Sequence, residues 1–435
     1  MAAAARLARL GSGDPRAGVS EPIAAADAAR LVLSEITRQP SLRIPLDDAL
    51  GSVLAEDVVS PLDIPAWANS AMDGYAARAS DVRGAAAERP VRLKVIERVP
   101  AGRFPTRTIG PGECARVFTG APVPDGVDSV IRQEDTDGGE DVVSIASDRD
   151  AGTNIRLAGE DIGKGAMVLR EGTVLEAAQL GVLASMAVAH PLVYRRPRVA
   201  LLASGDEIAD VDQPEEILSG RKVASSNTHT MIALVRRAGG EPDYLGIARD
   251  TPESLREHLA KALDSDLLVT TAGVSVGEHD FVRTVLEEMG ARQRFWRLRI
   301  RPGAPVGFGL VGPTPWVGLP GNPVSTMVTF ELFVRPAIRK MSGHTLPYRM
   351  SVPVRLTEPV SVKPRLQHFL RAIVTPGPEG LEARLTGPQG SGILMSMARA
   401  NALLVLPEGQ FETPAGATVQ AIRLDETAHQ EGPAF

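Results

Sequence analysis

The stretch LLVTTAGVSVGEHDF, residues 267–281, decides the fold of the central part of this chain. Its first residues have the length and apolar character of a buried strand, and a turn rich in glycine and serine follows. Backbone N–H groups in such a turn can face an anion. Glu278 and Asp280 would repel a phosphate unless a divalent cation or a donor-rich ligand lay between them. Taken alone, the pattern also fits a strand, a glycine turn and an Asp that begins a helix.

Four further apolar runs also end in polar or turn-forming residues. They are residues 198–208, 243–250, 295–303 and 315–325. Helical patterns lie between the runs, and their predicted starts are Ser226 with Asn227, Thr251, Asp280 and Asn322. This alternation predicts a parallel, doubly wound α/β sheet, in which ligands bind beyond the carboxyl ends of the strands. The five strand ends are therefore expected to converge on one cleft.

Composition restricts the class of protein. The chain has 435 residues, which suggests about two to four domains. Its formal charge of −6 gives no support for a nucleic-acid surface. Cys114 is the only cysteine, so a disulfide framework and a thiolate metal cluster are excluded. The seven histidines lack HExxH spacing, which argues against a zinc site.

The ends of the chain and its most apolar segment bear on location. Residues 1–20 are rich in Ala and Arg, lack an uninterrupted apolar core, and are predicted to form a disordered tail, as are residues 426–435. The segment from Leu180 to Ala189 is shorter than the roughly 20 residues that span a bilayer. We therefore expect a soluble, cytoplasmic protein with no membrane partner.

The pattern along the chain predicts a multidomain α/β protein. Helical patterns at residues 25–38 and 174–189 flank a region where short Val-rich runs alternate with Pro/Gly/Asp turns. After the α/β region the chain returns to short strands. The expected domains are a helical or linker domain of residues 21–60 and 156–195, an inserted β domain of 61–155, an α/β domain of 196–345 and a C-terminal β domain of 346–425.

The inserted domain contains PAWANSAMDGYA, residues 65–76, in which Asp73 and Gly74 are typical of a turn. Together with other motifs this segment becomes recognisable. The motifs are SAMDGYA (70–76), FTGAPVP (118–124), GEDI (159–162), SGDE (204–207), TTAGVSVGEHD (270–280), LPGNPVS (319–325) and QGSGILMSMARANALLVLP (389–407). Their order resembles the MoeA-type molybdopterin molybdenumtransferases, which are related to the E domain of gephyrin. The resemblance runs from about residue 22 to about residue 425.

This resemblance implies an elongated homodimer of four-domain subunits, with the helical domain in the dimer interface. Such an enzyme completes molybdenum cofactor synthesis by inserting molybdate into adenylylated molybdopterin, with Mg²⁺-dependent release of AMP. A carboxylate suits a pterin, because it can accept bonds from the amino group and the ring N–H together. Transient contacts with a molybdopterin adenylyltransferase and with molybdoenzyme acceptors are also implied.

The resemblance assigns roles to individual residues. Asp280 and Asp250 are expected to bind Mg²⁺ and to promote cleavage of the phosphoanhydride, and Glu207 to contact the pterin or the metal. The phosphate turn is expected to use Gly273, Ser275 and Gly277. Asp73 and Thr119 are expected to reach the cleft from the second subunit. Asp161 matches a further acid of the family, although a role in a turn or a helix cap stays open.

A tetrahedral dianion such as molybdate calls for cationic and hydroxyl groups. The matching positions are Arg297, Arg301, Arg371, Ser391 and the turn formed by Leu319, Pro320 and Asn322. The usual family pattern KPGKP is here RPGAP, so Ala304 replaces an expected lysine. A second departure is VASSN, residues 223–227, where Ala224 and Ser225 stand in place of an aromatic residue and an acid or amide.

These departures leave alternatives open. The chain could belong to a paralogue that inserts tungstate, works more slowly or serves another pterin. It could also only adenylylate molybdopterin, although the two extra β regions argue against this. A non-catalytic dimeric scaffold is the third alternative, and the presence of Asp73, Glu207, Asp250 and Asp280 argues against it.

Overall fold

The computed structural model describes residues 21–272, 281–363 and 365–425. This part of the chain forms two compact units, one of residues 21–43, 51–55 and 192–425 and the other of residues 44–50 and 56–191. The predicted tails, 1–20 and 426–435, lie outside the described residues. Among the helices of the described part, none combines the length and apolar character needed to cross a bilayer.

The helices and strands of the described residues are numbered in chain order. The helices are α1 Ala25–Glu35, α2 Ala79–Val82, α3 Ala177–Ser185, α4 Pro214–Leu218, α5 Ser226–Ala238, α6 Pro252–Lys261, α7 Phe281–Glu288, α8 Pro323–Thr329, α9 Arg335–Met341 and α10 Leu394–Ala398. The strands to residue 204 are β1 Ser41–Arg43, β2 Val58–Val59, β3 Asn69–Ser70, β4 Gly74–Ala77, β5 Val91–Val99, β6 Glu113–Val117, β7 Ser129–Arg132, β8 Val142–Ile145, β9 Ile155–Arg156, β10 Met167–Leu169, β11 Leu192–Tyr194 and β12 Arg198–Ser204. The remaining strands are β13 Ile208–Ala209, β14 Val223–Ala224, β15 Glu241–Ala248, β16 Leu267–Thr271, β17 Arg292–Phe295, β18 Ile300–Arg301, β19 Gly307–Val311, β20 Thr314–Leu319, β21 Ser351–Leu356, β22 Val360–Ser361, β23 Gln367–Gly377, β24 Gly380–Leu385, β25 Ala402–Leu406, β26 Glu412–Thr413 and β27 Thr418–Arg423.

The second unit contains the inserted β domain. Its main sheet has five strands in the order β7-β4-β6-β5-β8. The four residues of β4 are buried, because this strand lies between two neighbours and carries core residues such as Tyr75. Asp73 and Gly74 were predicted to form a turn. The prediction is wrong for Gly74, which is the first residue of β4. The Cβ of any other residue there would lie 2.0 Å from the Ile131 carbonyl oxygen, so close approach of β7 requires the glycine.

The α/β region confirms the predicted doubly wound arrangement. Its sheet has the order β15-β12-β16-β20-β19-β17, and the first four strands are parallel. Helices cover both faces, because alternate residues of each strand point to opposite sides. Val199 and Leu201 of β12 pack with α5, α8 and α9, whereas Ala200 and Leu202 pack with α6 and α7.

The edge of this sheet differs from the prediction of a fully parallel sheet. Residues 295–303 were expected to form one of its strands. Instead β17 ends at Phe295 and runs antiparallel to β19, which is itself antiparallel to β20. Ile300 and Arg301 then pair in parallel with Gln367 and His368 of the C-terminal β domain. The predicted strand is therefore divided between two sheets.

The predicted helices are present, with one correction at the start of α5. Thr251 caps α6 as predicted, since its side chain accepts a hydrogen bond from the Ser254 N–H at 3.3 Å. Ser226 and Asn227 are not caps, because α5 begins at Ser226 after Ser225. The predicted long helix after Asn322 is continuous through α8, a π-helical turn over Phe330–Val334, and α9.

The C-terminal β domain has the strand order β18-β23-β24-β21-β27-β25. An additional pairing of β23 with β25 closes five of these strands into a ring. Apolar side chains that point inward form its core, among them Leu370, Ala372 and Leu404. The neighbouring Phe369 points to the other side and packs in the core of the α/β region.

Candidate functional site

A cleft of the first unit lies at the carboxyl ends of the parallel strands, as predicted. Its volume is about 500 Å³, within the usual range for small-molecule sites. The residues that line it are Glu207, Ile208, Val223, Ala224, Ser225, Ser226, Asn227, Thr271, Ala272, Pro305, Pro320, Gly321, Asn322 and Pro323. The ends of β12, β16 and β20 are thus brought together at one opening.

Two predicted acids lie on neighbouring strand ends. Glu207 follows β12, and Asp250 follows β15, which pairs with β12. The Asp250 carboxylate accepts a hydrogen bond from the Asp206 N–H at 3.4 Å, so it adjoins the loop that carries Glu207. Gly205 begins that loop with φ +143°, and a Cβ there would lie 2.7 Å from a Glu207 carboxylate oxygen. A glycine is therefore required for the loop to turn beside Glu207.

These two acids are candidate ligands of the expected Mg²⁺. Carboxylate oxygens suit Mg²⁺, which binds proteins through one or two carboxylates and completes its shell with phosphate and water. The donor chemistry of Glu207 and Asp250 fits that requirement. Within the ranges that the structure describes, however, no group of three or more His, Cys, Asp or Glu residues is placed to hold a metal. Asp280, the other expected ligand, lies outside those ranges.

The phosphate turn proposed from the sequence also lies outside the described residues. Gly273, Ser275 and Gly277 belong to it. On one side, β16 leads to Ala272, whose N–H donates to the Leu319 carbonyl at 3.1 Å. On the other side, α7 begins at Phe281 and buries Val282, Val285 and Leu286.

The turn after β20 is held by two side chains. The Asn227 amide donates to the Gly321 carbonyl at 2.7 Å, and the Thr326 hydroxyl donates to the Pro320 carbonyl at 2.5 Å. These bonds fix the turn of Leu319, Pro320 and Asn322 against the starts of α5 and α8. This role of Asn227 was not predicted, because an Asn at the start of a helix is typical of a helix cap.

The RPGAP segment reaches the same cleft. Pro305 lines it, and the preceding Ala304 is half-buried. The Ala304 carbonyl accepts hydrogen bonds from the N–H groups of Leu298 and Val306 at 2.8 and 3.1 Å, which fixes its backbone. Arg301 is exposed in β18, and Arg297 is half-buried. A lysine at position 304 would therefore have its side chain directly beside the cleft.

Arg371 and Ser391 are expected to bind an oxyanion, and the structure places both near the turn after β20. Arg371 is fully buried, and burial lowers its pKa to about 10. Its Nε donates to the Ser396 hydroxyl at 3.1 Å and one terminal nitrogen to the Gly390 carbonyl at 3.0 Å. The other terminal nitrogen, Nη1, is buried with no acceptor in the described part of the chain. The Ser391 carbonyl accepts from the Val324 N–H at 3.1 Å, which joins this loop to the start of α8.

The remaining predicted residues belong to the second unit. Asp73 precedes β4 and Thr119 follows β6, and these strands pair, so the two residues meet. One Asp73 carboxylate oxygen accepts bonds from the Thr119 N–H and hydroxyl at 2.8 and 2.9 Å. These bonds, with a smaller contribution from Arg116, lower the pKa of Asp73. Asp161 lies on a different loop, where its N–H donates to the Ile64 carbonyl at 3.0 Å.

Comparison with known proteins covers nearly the whole described chain. Three family models match: the MoeA N-terminal region (domain I and II) at residues 23–187, the probable molybdopterin binding domain at 200–340 and the MoeA C-terminal region (domain IV) at 353–424. A molybdopterin molybdenumtransferase of Nostoc sp. is 38% identical over 392 residues, which is 86% of this chain and 87% of the relative. A molybdopterin molybdenumtransferase 2 of Mycobacterium tuberculosis is 38% identical over 385 residues, 87% of this chain and 94% of the relative. The crystal structure of the molybdopterin biosynthesis moeA protein of Pyrococcus horikoshii OT3 is 30% identical, covers 93% of this chain and 100% of its own, and superposes with a TM-score of 0.78.

Proposed function

Since the chain belongs to the MoeA family of molybdopterin molybdenumtransferases, we propose that it inserts molybdate into adenylylated molybdopterin, with Mg²⁺-dependent release of AMP. Its role as a transferase of molybdenum cofactor biosynthesis follows from the family. The observation that carries the finer proposal is the convergence of Glu207, Asp250 and the Asn322 turn at one set of strand ends.

The cleft supplies groups for both halves of an adenylylated pterin. The Glu207 carboxylate can accept bonds from the amino group and ring N–H of a pterin, which are donors side by side. Ser225 and Asn227 line the same cleft. The phosphates are assigned to the turn that contains Gly273, Ser275 and Gly277, by resemblance to the family.

The proposed metal ligands are Asp250 and Asp280, with Glu207 in support. When bound, Mg²⁺ would neutralise phosphate charge in the transition state. The chain's own part is to orient the anhydride: the bond from the Asp206 N–H holds the Asp250 carboxylate beside the Glu207 loop. Removal of Mg²⁺ with EDTA should abolish AMP release, and addition of Mg²⁺ should restore it; release that persists in EDTA would remove the metal from the proposal.

Molybdate is assigned to the cationic side of the cleft. Arg371 supports this assignment, because a buried guanidinium nitrogen without an acceptor is costly unless an anion pairs with it. The Ser391 hydroxyl and the exposed Arg301 can contribute further donors, with Arg297 in support. The Ala304 departure favours a second candidate function, in which the same site prefers tungstate.

A homodimer completes the proposal. The partner subunit's Asp73 and Thr119 are assigned to the cleft by resemblance to the family, and Asp161 matches a further family acid. The Asp73–Thr119 hydrogen bonds support a preorganised carboxylate, because they keep it ionised and fix its orientation. Transient contacts with the adenylyltransferase and the acceptor apoenzymes belong to this proposal as well.

Ala304→Lys should lower the molybdate concentration that gives half-maximal AMP release. A unit charge at about 4 Å is worth roughly 1 to 4 kcal/mol, which corresponds to about a tenfold change or more. Ala415→Lys is the matched control, because this exposed alanine of the C-terminal domain does not line the cleft. Equal half-maximal concentrations in the two variants would remove Ala304 from the oxyanion site.

A further inference from the structure

A second cavity lies in the inserted β domain and is not used by the proposed chemistry. It has a volume of about 610 Å³. Its walls come from β4, β5 and β6 and from the segment between β7 and β8. Tyr75, Arg98, Arg116 and Gln133 are among the residues that line it. The opening is large enough for a small organic molecule rather than a bare ion.

Two arginines of neighbouring strands converge at this cavity. Arg98 of β5 and Arg116 of β6 are paired in register, and each guanidinium lies 5.2 Å from the centre of the Phe118 ring. Arg116 also lies over the Tyr75 ring at 4.8 Å. Stacking on a ring uses the face of a guanidinium and leaves its in-plane N–H groups for hydrogen bonds. The shared Phe118 ring therefore holds both guanidinium groups side by side at this cavity.

Among the described residues neither Arg98 nor Arg116 forms an ion pair, whereas Arg132 of the adjacent β7 binds Asp150 through two nitrogens. Nη2 of Arg116 donates to the Gln133 side chain at 2.6 Å. Its Nη1 is buried and has no acceptor in the described part of the chain. A buried charged donor left without an acceptor is costly, and an anion within reach of Arg116 would lower that cost.

Acidic residues at the same cavity do not serve as the anion for these arginines. Asp137, Glu140 and Asp141 line it and are exposed, as is Arg98, so solvent screens the charges of all four. One Asp137 carboxylate oxygen already accepts bonds from the N–H groups of Gly139 and Ser144 at 3.1 and 2.9 Å. The acids therefore lie at the rim, where they can accept N–H donors of a ligand's organic part.

We propose that this cavity binds an organic phosphate monoester, with the phosphate on Arg98 and Arg116 and a donor-bearing ring towards Asp137, Glu140 and Asp141. AMP is the candidate ligand, and its choice rests on the proposed function, in which AMP is the product. The cavity adjoins Asp73, because the N–H of Gln133, a lining residue, donates to the Asp73 carbonyl at 3.1 Å. A phosphate held there would lie beside the Asp73–Thr119 pair.

Isothermal titration calorimetry of the full chain tests this proposal with AMP, adenosine and inorganic phosphate as probes. Arg116→Gln and Arg98→Gln should each weaken AMP binding by at least about tenfold, because each removes one charge from the phosphate. Arg92→Gln, an exposed arginine on β5 that does not line the cavity, should bind AMP like the parent. Adenosine should bind at least about tenfold more weakly than AMP, because it lacks the phosphate.

Three results would overturn the proposal. The first is unchanged AMP affinity in both Arg98→Gln and Arg116→Gln. The second is loss of AMP binding in Asp250→Asn with full binding in the two arginine variants, which would place the nucleotide in the strand-end cleft. The third is inorganic phosphate binding as tightly as AMP, which would contradict the role of the organic part. Each result leaves AMP release by the parent chain unaffected, so failure here is distinct from failure of the proposed function.

Discussion

Asp250→Asn should lower the rate of AMP release from adenylylated molybdopterin by at least about 100-fold at limiting Mg²⁺. The substitution preserves the shape of the side chain and removes the charge that the metal requires. Metal stabilisation of a transferring phosphoryl group is worth several kcal/mol, and each 1.4 kcal/mol is about tenfold in rate. Part of the loss should be recovered at high Mg²⁺, because the site then binds the metal weakly rather than not at all.

The matched control for this prediction is Asp243→Asn. Asp243 lies on the same strand, β15, but near its amino end, where it forms an exposed ion pair with Arg198 at 3.0 Å. Exposed pairs contribute at most about 1 kcal/mol to stability. The control should therefore keep the parent rate and the parent dependence on Mg²⁺. If Asp250→Asn released AMP at the parent rate at limiting Mg²⁺, this carboxylate would be excluded from the proposed metal site.

Gly74→Ala should destabilise the inserted β domain by roughly 2 to 4 kcal/mol. The new Cβ would lie 2.0 Å from the Ile131 carbonyl oxygen and 2.9 Å from its carbon. Both atoms belong to the backbone of β7, so relief requires the two strands to separate. Hydrogen–deuterium exchange measured by mass spectrometry should show lost protection in peptides that cover β4 and β7, with unchanged protection in β12 and β16 of the other unit.

Gly163→Ala is the control for this substitution. Gly163 lies in the same unit, its φ is ordinary, and no atom lies within 4 Å of a Cβ built on it. Its exchange pattern and thermal midpoint should match those of the parent. Equal protection of β4 in the two variants would show that β7 can move away without cost, and would contradict the close approach as the reason for the glycine beside Asp73.

The sequence predicted the α/β region well because its signals are local. Strand and helix alternate in order, and Gly239, at φ +93°, ends α5 in the left-handed conformation that glycine favours. The edge of the sheet depends on partners distant along the chain. Ile300 and Arg301 leave the expected strand because they pair with Gln367 and His368, and no local pattern specifies that pairing.

The candidate site also combines features that local sequence predicts with features that depend on distant parts of the chain. The sequence placed Glu207, Asp250 and Asn322 at strand ends, and parallel strands bring such ends together. The burial of Arg371 could not be predicted, because an arginine within HFLRAIV is read as the exposed position of a strand. It is buried because Phe369 and Arg371 point away from the ring of strands, into the core shared with the α/β region.

Arg116 was missed for a related reason. Its strand, Glu113–Val117, precedes Thr119, and the motif FTGAPVP drew attention to the loop rather than to the strand. Only pairing with β5 and β4 places Arg98, Arg116 and Tyr75 at one cavity. The contacts proposed for the ligand of this cavity therefore lie on cross-strand neighbours of a recognised motif.

The most direct test of the proposed function is AMP release from adenylylated molybdopterin by the folded protein with Mg²⁺. The rate is measured under three conditions: with molybdate, with tungstate and without an oxyanion. We predict that AMP release depends on molybdate, despite Ala304. Release that requires tungstate would contradict the molybdate assignment and favour the tungstate-specific candidate. No release under any of the three conditions would contradict the insertase itself.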